Sequence, residues 1–421
     1  NIGLRIKGFS TRDNPGKGFN IFARKKYGNS KIVSETLIPN NYDIKGKPIK
    51  EYKSISLRSI SKENRVGDII GQAVLQNRTN IATLSMEKSI LFLNGEYWGL
   101  YIINEHLGGD YFESNYNTPG ENISIIKDNQ VEEGPEEDTL KFMNFMNEYS
   151  QKDLSNDEIL NEVNKFVDLD SFLEHYVAGL YLTIVDWPNR NYGAWRYNGE
   201  KIEGNEYTDG RWRFITYDLD CSFGKLYGNF KIGEDRKEIE GYEYDPFKHL
   251  NGIRGPPTNL FQAMLSNTQY KNQFLNLFMD YCNEVMKIEK TQKLMKKFKN
   301  DYTDLVVNSL LRWGSYEGTE KEGIEFLKEK ITKGYWTDRI KFIAYRAQYV
   351  LDYMKIHYNL KELCIINLYK NGGGIIQINK IIPEFNGIKE WKGRYYSDIP
   401  ITLKGIDKEK CILKKLKTDD D

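Results

Sequence analysis

Two stretches near the start of the chain alternate apolar and polar residues, Leu4-Arg-Ile-Lys-Gly8 and Lys17-Gly-Phe-Asn-Ile-Phe-Ala-Arg24. A period of two predicts half-buried strands. Between them runs a polar loop, Phe9-Ser-Thr-Arg-Asp-Asn-Pro-Gly16. From Glu63 to Arg78 the spacing becomes three and four, with Val66, Ile69, Ile70, Ala73, Val74 and Asn77 on one face. That predicts an amphipathic helix with Glu63 near its positive end. Ser89-Ile-Leu-Phe-Leu93 and Trp98-Gly-Leu-Tyr-Ile-Ile103 flank Asn94-Gly95, the dipeptide favoured in type I′ hairpins. Their unbroken apolar runs predict a hairpin buried on both faces, ending at Asn104-Glu105-His106.

Helical spacing dominates the middle. Segments near 137–150, 156–166 and 169–185 are separated by Asp- and Asn-rich caps, and the last is apolar nearly all round. Asp186 follows it, and Pro188 stops it. Asn191–Tyr197 and Arg211–Tyr217 read as a strand pair, and 225–257 as an irregular loop. Residues 258–358 return to helices, whose stripes at Leu260, Phe261, Met264, Leu265 and at Phe274, Leu277, Phe278, Tyr281 are core positions. The end helix runs from Thr337 to His357. Beyond Leu360, short strands at 364–368, 375–379 and 399–403 with the Gly372-Gly-Gly374 turn suggest a small β module over 361–421.

Composition narrows the function. Lys+Arg and Asp+Glu both number 60, so the net charge is zero, without the basic excess of a general nucleic-acid binder. No apolar run approaches the ~18 residues of a membrane span. The chain starts at Asn1 with neither Met nor a signal-peptide pattern, which reads as a mature or trimmed fragment. Cys221, Cys282, Cys364 and Cys411 form no Cys-x-x-Cys pair, although Cys364 and Cys411 flank one segment and can pair. The four His form no HExxH.

The chemistry concentrates in Asp186-Trp-Pro-Asn-Arg-Asn191 and in Trp212–Gly224, where Asp218 and Asp220 end a short strand. Metal-assisted phosphoryl transfer needs a carboxylate for the acceptor proton, oxygen ligands for divalent ions and cations on the phosphates. Asp186 and Asn191 have the D-x₄-N spacing that protein kinases use for base and metal ligand, and Asp218 follows as their metal-binding Asp does. The alternative is a turn cap at Asp186 and solvated loop acids at Asp218 and Asp220. The 9–16 loop is likewise either a phosphate cradle or an ordinary polar hairpin tip. No Walker motif, G-x-G-x-x-G, V-A-I-K or H-R-D is present, so a kinase here is an atypical one.

Five blocks, in order over roughly 1–358, resemble the CotH kinase family of spore-coat and secreted multidomain proteins. Lys7-Gly-Phe-Ser-Thr-Arg12…Pro15-Gly-Lys17-Gly-Phe19 is similar to R-G-N-S-S-R…P-K-K-S-Y, and Leu57-Arg58-Ser59 to L-R-N. Leu91-Phe-Leu-Asn-Gly-Glu-Tyr-Trp-Gly-Leu-Tyr101…Glu105 resembles the distinctive F-L-N-G-E-Y-W-G-x-Y…E. Asp186…Asn189-Arg-Asn191-Tyr192 and Phe214–Asp220…Phe223-Gly224 resemble D-x-x-x-N-N-Y and P-W-D-x-D…F-G. Departures are Lys7 for Arg, Phe9 for Asn, Gly16 for Lys, Arg190 within the Asn pair and Thr216 for Pro.

The resemblance implies an α+β, atypical protein-kinase-like fold. A β-rich N-lobe (about 1–105) and a mainly helical C-lobe (106–360) would be followed by a small all-β module at 361–421, truncated at its end. It implies ATP with Mg2+ or Mn2+ and a protein substrate with Ser or Thr acceptors, in an extracellular, cell-surface or spore-surface setting. The terminal module would meet scaffold or surface partners. Asp186 would be the base, and Asn191, Asp218 and Asp220 metal ligands. Lys17, Ser10 and Arg12 would contact phosphates, with Arg58 close by and adenine against the hairpin exit at Ile103 to Glu105. Two rivals remain: a non-catalytic adhesion or scaffold-associated module that keeps the fold, and a carbohydrate-acting protein using the abundant Trp and Tyr.

Overall fold

The computed structural model describes residues 1–421 except 9, 63–65, 77, 79, 189, 225–230, 233–236, 315, 317, 371–373, 386–389 and 407–421. Glu63, Asn77 and Cys411 therefore lie outside the described residues, and with them the expected helix start and the Cys364–Cys411 pairing.

The first strands are β1 (Gly3–Lys7) and β2 (Gly18–Phe22), a short ladder of β3 (Ile32–Val33) with β4 (Glu51–Tyr52), and β5 (Ser54–Ser59). Helix α1 (Val66–Leu75) precedes β6 (Met86–Leu93) and β7 (Glu96–Glu105). The antiparallel sheet runs β1-β2-β5-β7-β6. Asn94 and Gly95 join β6 to β7 with φ of 52° and 84°, the left-handed pair that a type I′ turn requires. The hairpin is not buried throughout: β7 is buried from Gly99 to Glu105, whereas no residue of β6 is. β7 lies between two strands, while β6 is the sheet edge.

A second sheet, ordered β11-β10-β8-β9, contains β8 (Ile123–Lys127), β9 (Gln130–Glu133), β10 (Tyr192–Tyr197) and β11 (Arg213–Thr216). Around it stand α2 (Gly109–Tyr116), α3 (Glu136–Tyr149), α4 (Asp157–Phe166) and α5 (Leu169–Tyr181). Asn156 and Asp168 cap α4 and α5 by accepting from Glu158 N and Ser171 N. α5 stops four residues before the apolar run does. The helix closes on itself at a left-handed Thr183 (φ 51°), with Leu182 N donating to Ala178 O (3.0 Å) and Ile184 N to Gly179 O (3.2 Å). The same segment also bonds to the chain after Asp220: Phe223 N donates to Leu182 O (2.6 Å), Gly224 N to Thr183 O (3.2 Å) and Val185 N to Cys221 O (3.3 Å), which ties the Asp186 loop to the Asp218 loop.

The described residues of the 225–257 stretch form more elements than its composition predicts. It holds the two-residue strands β12 (Lys231–Ile232) and β13 (Lys237–Glu238), then α6 (Pro246–Gly252), which Asp245 caps through Phe247 N and Lys248 N. Next come α7 (Thr258–Met264) and α8 (Thr268–Asp280), which continues into a π-helical turn. α9 (Ile288–Arg312) and α10 (Glu320–Glu329) follow, and α11 (Thr337–Tyr358) ends the helical part. The apolar stripes of α7 and α8 are core, with Leu260, Phe261, Met264, Phe274, Leu277 and Phe278 at most 1% exposed.

The terminal strands β14 (Leu363–Tyr369), β15 (Ile375–Ile378), β16 (Glu390–Tyr396) and β17 (Leu403–Ile406) pair as β14-β16 and β15-β17. The last begins where the 399–403 strand was expected to end. Leu368, Trp391, Tyr395 and Tyr396 share one apolar core with α5, α8 and α11. Their polar ends are satisfied by helices: Trp391 Nε1 donates to Glu284 (3.0 Å), Tyr395 Oη to Asp280 (2.8 Å) and Tyr396 Oη to Leu351 O (2.7 Å).

Candidate active site

Arg58 is the hub. It stands on β5 opposite Ile102, and strand alternation puts Ser54, Ser56 and Arg58 on one face of the sheet. Arg58 Nη1 donates to Asp68 Oδ2, and Nη2 donates to Asp218 Oδ1 (2.5 Å) and Asp220 Oδ2 (2.6 Å). Burial alone would lower the guanidinium's pKa, but the charges of Asp220, Asp218 and Asp68 together raise it well above its ordinary value. Asp68 Oδ1 also accepts from Leu219 N (3.0 Å), so one carboxylate fixes both the arginine and the loop carrying its other partners. Helix α1 approaches that loop closely because Gly67 and Gly71 lack side chains; a Cβ there would lie 2.8 Å from Asp220 O and 2.6 Å from Leu219 Cδ1. Asp218 adopts φ 55°, directing the chain into the tight turn Leu219–Cys221.

Asp186 and Asn191 form the second half. Asn191 Nδ2 donates to Asp186 Oδ2 at 2.7 Å, while Asp186 Oδ1 is buried with no hydrogen-bond partner among the described residues. Burial, then the charge of Asp218, push the Asp186 carboxyl above its usual range. Asn191 takes φ 60°, and Asp128 braces the chain beside it: Asp128 Oδ1 accepts from Tyr192 N (3.3 Å), and Asp128 N donates to Tyr192 O (3.2 Å). Asp128 and Asn129 form the left-handed turn between β8 and β9.

Asp186, Asn191, Asp218, Asp220 and Arg58 are thus brought together. Lys17, Arg12 and Glu105 are not. Lys17 Nζ donates to the carbonyl of Arg12, whose side chain is exposed. Ser10 lies in the adjacent turn Ser10–Asp13. Glu105 pairs with Ile55 and so points to the opposite face from Arg58. There it is buried, accepting from Asn41 (2.8 Å), Ser114 (2.8 Å) and Asn115 (3.0 Å). Past the end of β7, Phe22, Ser54, His106 and Gly109 line a cleft of about 510 Å³.

The model of the CotH kinase protein family matches residues 4–350. The chain belongs to the CotH kinase family. Family membership supports a kinase-like activity. No curated protein sequence matches the chain. Among solved structures it is similar to a Helicobacter pylori proinflammatory kinase, CtkA, at 11% identity, over 71% of this chain and 92% of that one. The TM-score is 0.23.

In a CotH-family chain a divalent cation is expected, and the donors here suit one. Asn191, Asp218 and Asp220 offer the hard oxygens that Mg2+ or Mn2+ takes, and the buried Asp186 Oδ1 lacks a partner. Among the described residues no three acidic, His or Cys side chains converge as a ready-made cation site. Arg58 stands between Asp68, Asp218 and Asp220 and offsets one of their three charges.

Sequence reasoning missed Asp68 and Asp128. An acid in the first turn of a helix after a strand carrying a cation was a signal for Asp68, because kinases pair a strand Lys with a helix Glu. Asp128-Asn129 between two short strands was the turn signal for the other.

Proposed function

We propose that this CotH-family chain transfers the γ-phosphate of ATP to a Ser or Thr hydroxyl of a protein, with Mg2+ or Mn2+. The observation that carries the proposal is the joining of two elements: the Asp186–Asn191 pair at 2.7 Å, and the Asp218–Asp220 loop bonded to 182–185 and held by Arg58. Asp186 accepts the hydroxyl proton; its raised pKa suits a base that must take and then release a proton. Asn191 Nδ2 fixes which carboxylate oxygen stays free to do so. Asn191 and Asp218 would hold the cation, with Asp220 beside them. When bound, the cation neutralises phosphate charge.

Arg58 supplies positive charge beside the same acids, and Asp68 orients it. From Arg58 to Ser54 is four residues of strand, about 13 Å. A nucleotide lying along this face would reach from the Arg58 cluster towards the cleft at Phe22 and His106. The protein acceptor and a setting outside the cell or on a cell or spore surface rest on the family resemblance.

The test is Asp218→Ala. It should abolish metal-dependent ATP hydrolysis and autophosphorylation while the circular-dichroism spectrum and cooperative unfolding persist. Full activity in that variant overturns the assignment.

A further inference from the structure

We propose that Lys7 is a phosphate-contacting residue of the nucleotide site, reaching the same ligand as Arg58 across a strand that carries no side chain between them. The inference rests on the nucleotide-binding reading above and names a residue that reading did not use.

The sheet register carries it. Lys7 pairs with Gly18 in the β1–β2 ladder. The β2–β5 ladder pairs Phe19 with Leu57, which sets Gly18 beside Arg58. Lys7, Gly18 and Arg58 therefore form one row across three strands. Alternation places that row on the face opposite Phe19, Ile55 and Leu57, which pack into the other apolar cluster. The middle position is glycine, where a Cβ would lie 3.5 Å from Lys7 Cβ. Among the described residues of this row, no side chain stands between the lysine and the arginine.

The charge environment fits an anion. Arg58 is already committed to three carboxylates, whereas Lys7 has no ion-pair partner of its own among the described residues. Burial, then the charges of Arg58 and Lys127, push its pKa down to about 8 against the opposing pull of Asp68 and Asp218. A half-buried ammonium beside a guanidinium and without an ion-pair partner of its own gains from a multiply charged anion, and phosphate oxygens beside Arg58 provide one. Lys17 is one residue out of register with this row, and its ammonium is bonded to Arg12 O.

The experiment is calorimetric titration of the full chain with Mg-ADP, Mg-ATP and adenosine, comparing Lys7→Gln, Lys7→Arg and Lys17→Gln with the unmodified protein. Lys7→Gln should weaken ADP and ATP about tenfold or more, the worth of a charged hydrogen bond. Adenosine binding and thermal stability without nucleotide should be unchanged. Lys7→Arg should recover most of the loss, and Lys17→Gln should cost little. If Lys7→Gln weakens adenosine as much as ADP, or if Lys17→Gln carries the phosphate-dependent loss, Lys7 is not a phosphate contact although the nucleotide reading stands. If the unmodified chain binds none of the three, both fall together.

Discussion

Arg58 Nη2 and Asp218 Oδ1, 160 positions apart in sequence, meet at 2.5 Å. The contact joins the first sheet to the loop after β11, and the same nitrogen reaches Asp220 at 2.6 Å. One largely buried guanidinium is thus shared by Asp68, Asp218 and Asp220 and offsets one of their three charges. Removing a buried partner leaves uncompensated charge and typically costs about 3–5 kcal/mol. Arg58→Ala should therefore lower the melting temperature by many degrees, and Mg2+ should restore part of the loss. The metal-induced rise should exceed that of the parent chain, because the variant removes the guanidinium that Asp68, Asp218 and Asp220 share. Equal shifts in the two proteins would mean that these carboxylates do not bind metal.

Asp186→Asn keeps the shape of the Asn191 contact and removes the base. Turnover should fall by about 10²–10⁴-fold with little change in unfolding free energy, as read from single-turnover phosphate transfer and denaturant titration.

The pH profile tests the same residue from another side. Asp186's folded pKa lies above its ordinary value. Only the ionised form accepts a proton, so activity should decline as pH falls through this raised pKa, at a higher pH than for an ordinary Asp. Its contribution to stability has the opposite sign: present at low pH, it is lost as pH rises through the folded pKa. Activity and stability moving together with pH would argue against Asp186 as the base.

Asp128 acts through Asn191. Asp128→Ala removes the acceptor of Tyr192 N and leaves Asn191 to hold φ 60° alone. The metal concentration for half-maximal activity should rise several-fold, while Asp128→Asn, which keeps an acceptor, should change it less. An unaltered metal dependence in both variants would confine Asp128 to the fold.

Asp280 makes a prediction about stability alone. Burial pushes its pKa up to about 7, against hydrogen bonds from Asn379, Tyr395 and Lys380 N. The folded state therefore holds a proton that the unfolded chain releases near pH 4. Its contribution is complete below that value and is lost between about pH 4 and 7, worth on the order of a few kcal/mol. Unfolding free energies measured across this range should lose part of their slope in Asp280→Asn.

What the sequence determined by itself is local. The Asn94-Gly95 turn, the capped starts of α4 and α5, the core stripes of α7 and α8 and the order of the Asp186 and Asp218 blocks all follow from short-range rules. Each depends on residues within a turn or two of each other, where backbone conformation and periodicity decide the outcome. The tertiary structure alone decided what crosses elements. It tied residues 182–185 to 221–224, and with them the Asp186 loop to the Asp218 loop. It set Glu105 on the far face from Arg58, because register rather than spacing assigns a strand residue to a face. It made Asp68 the partner of Arg58, and it joined β14–β17 to the helical core through Trp391, Tyr395 and Tyr396. A charge finds its counter-charge, and an apolar strand its cover, only after the chain has closed.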